Sequence, residues 1–215
     1  MKIFKFEVDE PFARQHNEMI RDTRRVRAGG IGLGLLVIIA SLLAYLFLAE
    51  RAVWGLMILL VGTALGITFA TVGVVVAKRF NKVQPLYDAY PLVPAIIAEV
   101  KERDFLLLAL VNTNVDPAVE PRWGLAIRNV SHIPGIKKPT VGMKIPSAAV
   151  LGRRNTREQH HWQEVTPMPI GWGTPDQDVV DIARKSIPQS EWNRLEQERG
   201  RLDDVKATQN NLLVL

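Results

Sequence analysis

The 215-residue chain contains no cysteine. Disulfide bonds, thiolate nucleophiles and cysteine-ligated metals are therefore excluded. Aromatic residues make up 7% of the chain, and they do not alternate with basic residues as they do in many proteins that bind nucleic acids. The basic pI of about 9.6 consequently does not indicate a nucleic-acid partner.

Motifs that would carry catalysis are also missing. The serines do not lie in a nucleophile elbow, and the sequence has no glycine loop followed by Lys-Ser or Lys-Thr. His160 and Glu164 are four residues apart, but a protein metal site needs three or four ligands. We therefore predict no catalytic residue, no metal and no cofactor, and we expect that the protein is not an enzyme.

Charge is almost absent between residues 28 and 77, where Glu50 and Arg51 are the only charged residues. They separate two apolar runs, residues 30–49 and 52–77. About 20 apolar residues are enough for a helix to cross a bilayer. The sequence therefore predicts a transmembrane two-helix hairpin over residues 28–77.

The distribution of basic residues predicts how this hairpin is oriented. Seven lysines and arginines precede the first run, and Lys78, Arg79 and Lys82 follow the second, whereas Arg51 is the only cation between the runs. By the positive-inside rule, a multi-pass protein of the plasma membrane with both termini in the cytoplasm is expected. A cleaved signal peptide is the alternative for the first run, but the long charged segment before it and the second span after it argue against cleavage.

Small residues recur along both runs and predict close helix packing. The predicted packing residues are Gly30, Gly34, Gly62, Gly66 and Gly73. They can hold the hairpin together, or part of the stripe can dock on another membrane subunit, and the sequence leaves both interpretations open. Neither run has an Asp, Glu, Lys, Arg or His residue in its interior, which argues against transport by this chain alone.

The chain divides into a basic cytoplasmic arm (1–27), the hairpin (28–77) and a cytoplasmic domain (83–215). The arm is expected to hold a short strand and then a helix from about Asp9 to Arg27. Closely spaced apolar segments with Gly and Pro turns favour an antiparallel, barrel-like sheet. The predicted fold class is α+β, a transmembrane hairpin followed by a small domain with this sheet and C-terminal helices.

Individual elements of the domain are also predicted from local patterns. A short helix is expected at residues 94–103, followed by strands at 105–111, 123–130, 141–145, 148–151 and 162–168. Helices are expected from Thr174 to Lys185, with Thr174 as the N-cap, and from Pro188 to Gly200. The apolar tail 212–215 is expected to pack as a strand or in a groove.

Polar side chains concentrate at one place in the domain, in the cluster Arg153, Arg154, Arg157, His160 and His161. This cluster is either a solvated loop or a site for an anionic ligand such as a lipid head group, since arginine binds oxyanions well. The arginines next to the first span, Arg24, Arg25 and Arg27, are expected to contact anionic lipids. Trp172, between two glycines, is predicted either to contact a partner or to lie in the core.

The basic arm, the tight hairpin, the segment Ile187 to Trp192 and the tail Leu212 to Leu215 together resemble an uncharacterised family of two-span membrane proteins from actinobacteria, namely corynebacteria and mycobacteria. The resemblance spans the whole chain and implies no assigned reaction. Some small actinobacterial membrane proteins of this type resemble accessory subunits of respiratory assemblies.

The expected function is that of a non-enzymatic accessory or scaffold subunit. It would dock on a larger membrane complex, with other subunits or a second copy as partners, and present a cytoplasmic interaction domain. The alternative is a membrane-tethered enzyme or binding module that uses the Arg153–His161 cluster for an anionic ligand.

Overall fold

The computed structural model describes residues 2–48, 52–79, 82–116, 118–152, 154 and 160–215. It forms two compact units. One contains Met1–Asn17 with Val83–Leu215, which we call the sheet unit, and the other contains Glu18–Lys82, which we call the hairpin unit. The predicted boundary of the arm at residue 27 therefore falls inside a helix of the hairpin unit.

The hairpin unit consists of two long helices. Helix α2 spans Glu18–Leu43 and continues as a π-helical turn over Ala44–Leu48, and α3 spans Val53–Arg79. The segments Arg27–Phe47 and Val53–Val75 are long and apolar enough to cross a membrane. In the most apolar window of each segment 11% of the residues are buried within the structure, whereas the core helix of a soluble domain is mostly buried. Most of their apolar side chains face outward.

Glycines lie where α2 and α3 pack against each other. A Cβ atom added to Gly34 would lie 2.5 Å from the carbonyl oxygen of Gly66, and one added to Gly30 would lie 2.9 Å from the Cα atom of Gly73. Gly62 lies against Ser41 in the same way. The five glycines named from the sequence therefore occupy the contact inside the hairpin.

The sheet unit contains a six-stranded antiparallel sheet that curls into a half-barrel, with strand order β5-β4-β1-β2-β3-β6. The strands are β1 Leu92–Val100, β2 Phe105–Asn112, β3 Trp123–Val130, β4 Lys144–Leu151, β5 Val165–Pro169 and β6 Leu212–Val214. Buried aliphatic residues from the central strands, such as Ile97, Leu108 and Leu125, form its core. The predicted α+β fold class with a barrel-like sheet and C-terminal helices is confirmed.

The helix predicted at residues 94–103 is wrong, because this segment belongs to the central strand β1. Proline is common at helix starts, but Pro94 pairs with Pro146 of β4 in the antiparallel ladder. Val93, Ile96 and Ile97 are β-branched and almost fully buried, which suits a strand covered on both faces. A register shift between Ile97 and Glu99 interrupts the pairing with β2, which continues at Glu99 and Val100.

Other predicted elements differ in their limits. The two strands expected at 141–145 and 148–151 are one strand, β4. The tail pairs with β3 as β6, as expected. Asp176, not Thr174, is the N-cap of α5 (Gln177–Ser186), because its carboxylate accepts the main-chain N–H of Asp178 at 2.9 Å.

Helices α6 (Gln189–Gln197) and α7 (Leu202–Lys206), joined by a 3₁₀ turn, complete the C-terminal region. Trp192 and Leu195 of α6 are buried, and so is Val205 of α7. These side chains place the C-terminal helices against the sheet.

The N-terminal segment belongs to the sheet unit. An isolated antiparallel β-bridge pairs Ile3 with Pro91. Helix α1 spans Glu10–His16. The continuous helix predicted to Arg27 is wrong, because α1 ends at His16 and the next residue, Asn17, has an extended backbone. Asn17 is fully buried, and its side-chain nitrogen Nδ2 lies 3.3 Å from the Met168 sulfur. Packing of this side chain in the core therefore interrupts the helix.

Candidate functional site

The cluster predicted at residues 153–161 is described in part. Arg153 and Arg157 lie outside the described residues. The backbone of Arg154 pairs with that of Trp162 in an isolated antiparallel β-bridge. The guanidinium carbon of Arg154 lies 4.9 Å from the centre of the Trp162 ring. This cation–π contact holds an exposed arginine at the surface.

His160 and His161 line a cleft of about 310 Å³ together with Asn114, Val115 and Asp116. The main-chain N–H of Val115 donates to the carbonyl of His160 at 2.9 Å, which connects the two segments. No group of three potential metal ligands occurs among the described residues. The carboxylate of Asp116 in this wall disfavours an anion beside the histidines.

The remaining predicted contact residues lie apart from this cluster. Arg24, Arg25 and Arg27 belong to α2 in the hairpin unit, and Arg25 and Arg27 are exposed. Trp172 is completely buried, and its Nε1–H donates to the carbonyl of His132 at 2.8 Å. Of the two roles considered for Trp172, the structure therefore shows a core residue rather than a surface contact.

A different cluster of cations lines a groove in the sheet unit with a volume of about 450 Å³. The groove lies between the loop that joins β3 to β4, the start of β4 and one face of α5. Its basic residues are Lys137, Lys138, Lys144 and Arg184, and we call it the basic groove. None of its described lining residues is acidic.

Local backbone chemistry shapes the basic groove. Gly135 has a φ of 87°, a conformation that glycine adopts without strain. A Cβ atom at this position would lie 2.6 Å from Nε2 of Gln177, so the glycine also makes room for the first turn of α5. Gln177, Val180 and Arg184 follow one another at helical spacing and line the same wall.

Two contacts orient the cations at one end of the groove. The Lys144 ammonium lies 5.1 Å from the centre of the Trp192 ring. The Arg184 guanidinium forms a 3.0 Å ion pair with Asp181. Both cations also line a neighbouring cleft of about 470 Å³ that contains Lys185 and Trp192. The positive surface therefore continues beyond the groove along the end of α5.

The floor of the basic groove is apolar. It is formed by Ile133, Ile136, Met143, Ile145 and Val180. An apolar floor beneath a cationic rim is typical of sites that take a ligand with both an apolar and an anionic part.

Comparison with known proteins places the chain in a family. A family model described as "Protein of unknown function (DUF3239)" matches residues 78–203. The chain belongs to the DUF3239 family. The resemblance inferred from the sequence to an uncharacterised actinobacterial membrane-protein family is confirmed. No curated protein matches the chain.

One solved structure is similar to this DUF3239 member. It is described as a "putative membrane protein from Corynebacterium diphtheriae" and is 48% identical. The similarity covers 58% of this chain and 100% of the other, with a TM-score of 0.56. The family description names no reaction or ligand, so the groove is interpreted from its own chemistry.

Sequence reasoning did not find the basic groove, although one signal was available. Lys137 and Lys138 are adjacent in a segment rich in Gly and Pro, and Arg184 and Lys185 end a helix. These pairs are about 47 residues apart, and only the packing of α5 beside the β3–β4 loop brings them together.

Proposed function

We propose that this DUF3239 protein is a non-enzymatic accessory or scaffold subunit, anchored in the plasma membrane by α2 and α3 and with both termini in the cytoplasm. The outward-facing apolar surface of the two helices supports the proposal, because only 11% of the most apolar window of each candidate span is buried within the structure. In water such a surface would be strongly unfavourable, whereas lipid or other membrane helices can cover it.

The glycine contacts define which part of the hairpin is available to partners. Gly30, Gly34 and Gly66 are used in packing α2 against α3. A partner subunit or a second copy would therefore contact the outer faces, where Leu36 and Leu60 are exposed. A respiratory assembly is one class of larger complex that fits this role.

The orientation can be tested by single-cysteine labelling, because the natural chain has no cysteine. Val53→Cys places a thiol at the start of α3, near the connection between the spans, and Ala207→Cys places one on the exposed surface of the sheet unit. A membrane-impermeant maleimide should label Val53→Cys in intact cells and Ala207→Cys only after permeabilisation. The unmodified chain is the control, and labelling of Ala207→Cys in intact cells would contradict the orientation.

The accessory role requires a second experiment. The tagged full chain should copurify with other membrane subunits, or with itself, when native membranes are extracted in a mild detergent and examined by native mass spectrometry. A monomer at every concentration would count against this role.

A second candidate function is the binding of an anionic lipid head group in the Arg153–His161 cluster, at Arg154 rather than in the histidine cleft, where the Asp116 carboxylate disfavours an anion. The contact of Arg154 with Trp162 favours it, because this contact orients a cation at the surface. Arg154→Gln should then weaken the binding of phosphatidylglycerol to the full chain in detergent micelles, whereas Arg103→Gln, which changes another exposed arginine of the sheet unit, should not. Equal binding of phosphatidylglycerol by both variants would rule out this function.

A further inference from the structure

We propose that the basic groove binds an amphiphilic phosphate ester. Lys137, Lys138, Lys144 and Arg184 would hold the phosphate, and the apolar floor would hold the organic part. The proposal rests on contacts within the sheet unit and does not depend on the membrane orientation or on the accessory role. Its failure would therefore leave those proposals standing.

The charge of the lining is the first argument. Four basic side chains face a groove whose described lining has no Asp or Glu. No ion pair among the described residues involves Lys137, Lys138 or Lys144. Like charges gathered at one groove repel each other, and a bound anion relieves this repulsion. Because Asp181 already pairs with Arg184, three lysine charges remain to be balanced, and a ligand with two negative charges suits them better than a carboxylate with one.

The donor geometry is the second argument. Lysine ammonium groups bind phosphate as point charges, and arginine offers five N–H donors. One terminal nitrogen of Arg184 contacts Asp181 at 3.0 Å, which orients the guanidinium and leaves other donors for a ligand. Lys144 is similarly oriented by the Trp192 ring. Side chains that are already oriented lose less entropy when a ligand binds.

The apolar floor is the third argument. Ile136 and Met143 are partly exposed within the groove, and Ile145 is buried beneath them. A free phosphate ion would leave this surface in contact with water. A ligand that covers it with a hydrocarbon part gains the additional free energy of apolar burial. A volume of about 450 Å³ lies within the range of small-molecule sites.

The direct test measures binding of hexyl phosphate to the full chain in nanodiscs of phosphatidylcholine, by isothermal titration calorimetry at low salt. The groove variant carries Lys137→Gln, Lys138→Gln and Lys144→Gln. A control with the same change of charge carries Lys5→Gln, Lys101→Gln and Arg103→Gln, which lie in the same unit but outside the groove. Circular dichroism and hydrogen exchange check that both variants fold.

The unmodified chain and the control variant should bind hexyl phosphate, and the groove variant should bind at least about tenfold more weakly, because it loses charge-assisted hydrogen bonds. Inorganic phosphate and hexanoate should each bind more weakly than hexyl phosphate. Ile136→Thr should weaken hexyl phosphate but not inorganic phosphate. The proposal is overturned if the unmodified chain does not bind hexyl phosphate or if the two triple variants lose affinity equally.

A lipid and a soluble metabolite can both supply a phosphate ester, and a competition experiment distinguishes them. If phosphatidic acid, a lipid with a phosphate monoester, displaces hexyl phosphate from the unmodified chain when it is present in the nanodisc, the natural ligand is a lipid head group. If hexyl phosphate stays bound in the presence of phosphatidic acid, the natural ligand is a soluble phosphate ester. Both outcomes require the hexyl phosphate binding measured in the direct test, whose absence overturns the proposal.

Discussion

The carboxylate of Glu10 accepts a hydrogen bond from the main-chain N–H of Val83 at 2.9 Å, across 73 residues of chain. The same oxygen accepts from the N–H of Gln84 at 3.2 Å. These two donors lie at the start of helix α4 (Gln84–Ala89), where N–H groups have no partner within the helix. A side chain from α1 thus caps a helix that follows the whole hairpin unit in the sequence.

Gln84 strengthens this connection. Its side-chain oxygen accepts from the N–H of Val8 at 2.8 Å, and its side-chain nitrogen donates to the carbonyl of Phe6 at 2.9 Å. The Phe6 and Tyr87 rings meet edge to face at 5.0 Å. The segment before the hairpin unit and the segment after it are therefore joined within the sheet unit.

Removing the Glu10 carboxylate should loosen this connection. We expect Glu10→Ala to destabilise the sheet unit by about 1–3 kcal/mol, because two partly buried donors lose their acceptor. Hydrogen exchange at Val83 and Gln84 should accelerate in this variant. Glu7→Ala is the matched control because Glu7 is exposed, and equal acceleration in both variants would show that the contact is unimportant.

The hairpin contact predicts a difference between two neighbouring glycines. Gly34→Ala should destabilise the packing of α2 on α3 by about 1–3 kcal/mol, because the new Cβ meets the Gly66 carbonyl oxygen. Gly32→Ala should not, since no atom lies within 4 Å of a Cβ at that position. Thermal unfolding of the full chain in detergent measures both, and similar melting temperatures would contradict the observed contact.

The buried position of Trp172 predicts a stability effect rather than a binding effect. Trp172→Phe removes the hydrogen bond to the His132 carbonyl and replaces the indole ring, which Arg128 contacts at 5.0 Å, with a smaller phenyl ring. We expect a loss of about 1–3 kcal/mol in denaturant unfolding. Trp54→Phe, on an exposed part of α3, should change stability much less. An unchanged stability with a loss of copurifying proteins would instead indicate a contact role.

An exposed ion pair joins β1 to α7, where the Lys206 ammonium lies 2.6 Å from the Glu99 carboxylate. The hydrogen bond to Lys206 lowers the pKa of Glu99, and the hydrogen bond to Glu99 raises the pKa of Lys206. The stabilisation by the pair is therefore lost as pH falls through the lowered Glu99 pKa and as pH rises through the raised Lys206 pKa. It is present between the ordinary values of about 4.3 and 10.4.

Glu99→Gln should accordingly lower the melting temperature at neutral pH, and the difference from the unmodified chain should shrink at acidic pH. The difference should also shrink at high salt, because both side chains are partly exposed. Glu102→Gln is the control, since Glu102 is exposed on the neighbouring turn. A difference that did not depend on pH would exclude an electrostatic origin.

Local and compositional patterns were enough for the candidate spans, strands β2 and β3, and the α+β class. In these elements one physical preference dominates. The length of an apolar run indicates a membrane span, and a short apolar run between turn residues indicates a buried strand. The helix predicted at residues 94–103 shows the opposite case. Pro94 is compatible with a helix start and with a strand, and burial between β2 and β4 selected the strand.

The break at Asn17 and the basic groove have the same origin. Asn17 leaves the helical conformation where its side chain packs in the core, against a methionine 151 residues away. Lys138 and Arg184 line one groove only because α5 packs beside the β3–β4 loop. Patterns that repeat within a few residues are set by the backbone and by solvent, so they can be recognised in the chain itself. Contacts between distant segments depend on how the whole chain packs. The native packing buries much apolar surface while the buried polar groups keep hydrogen-bond partners, and this balance is decided only in the folded molecule.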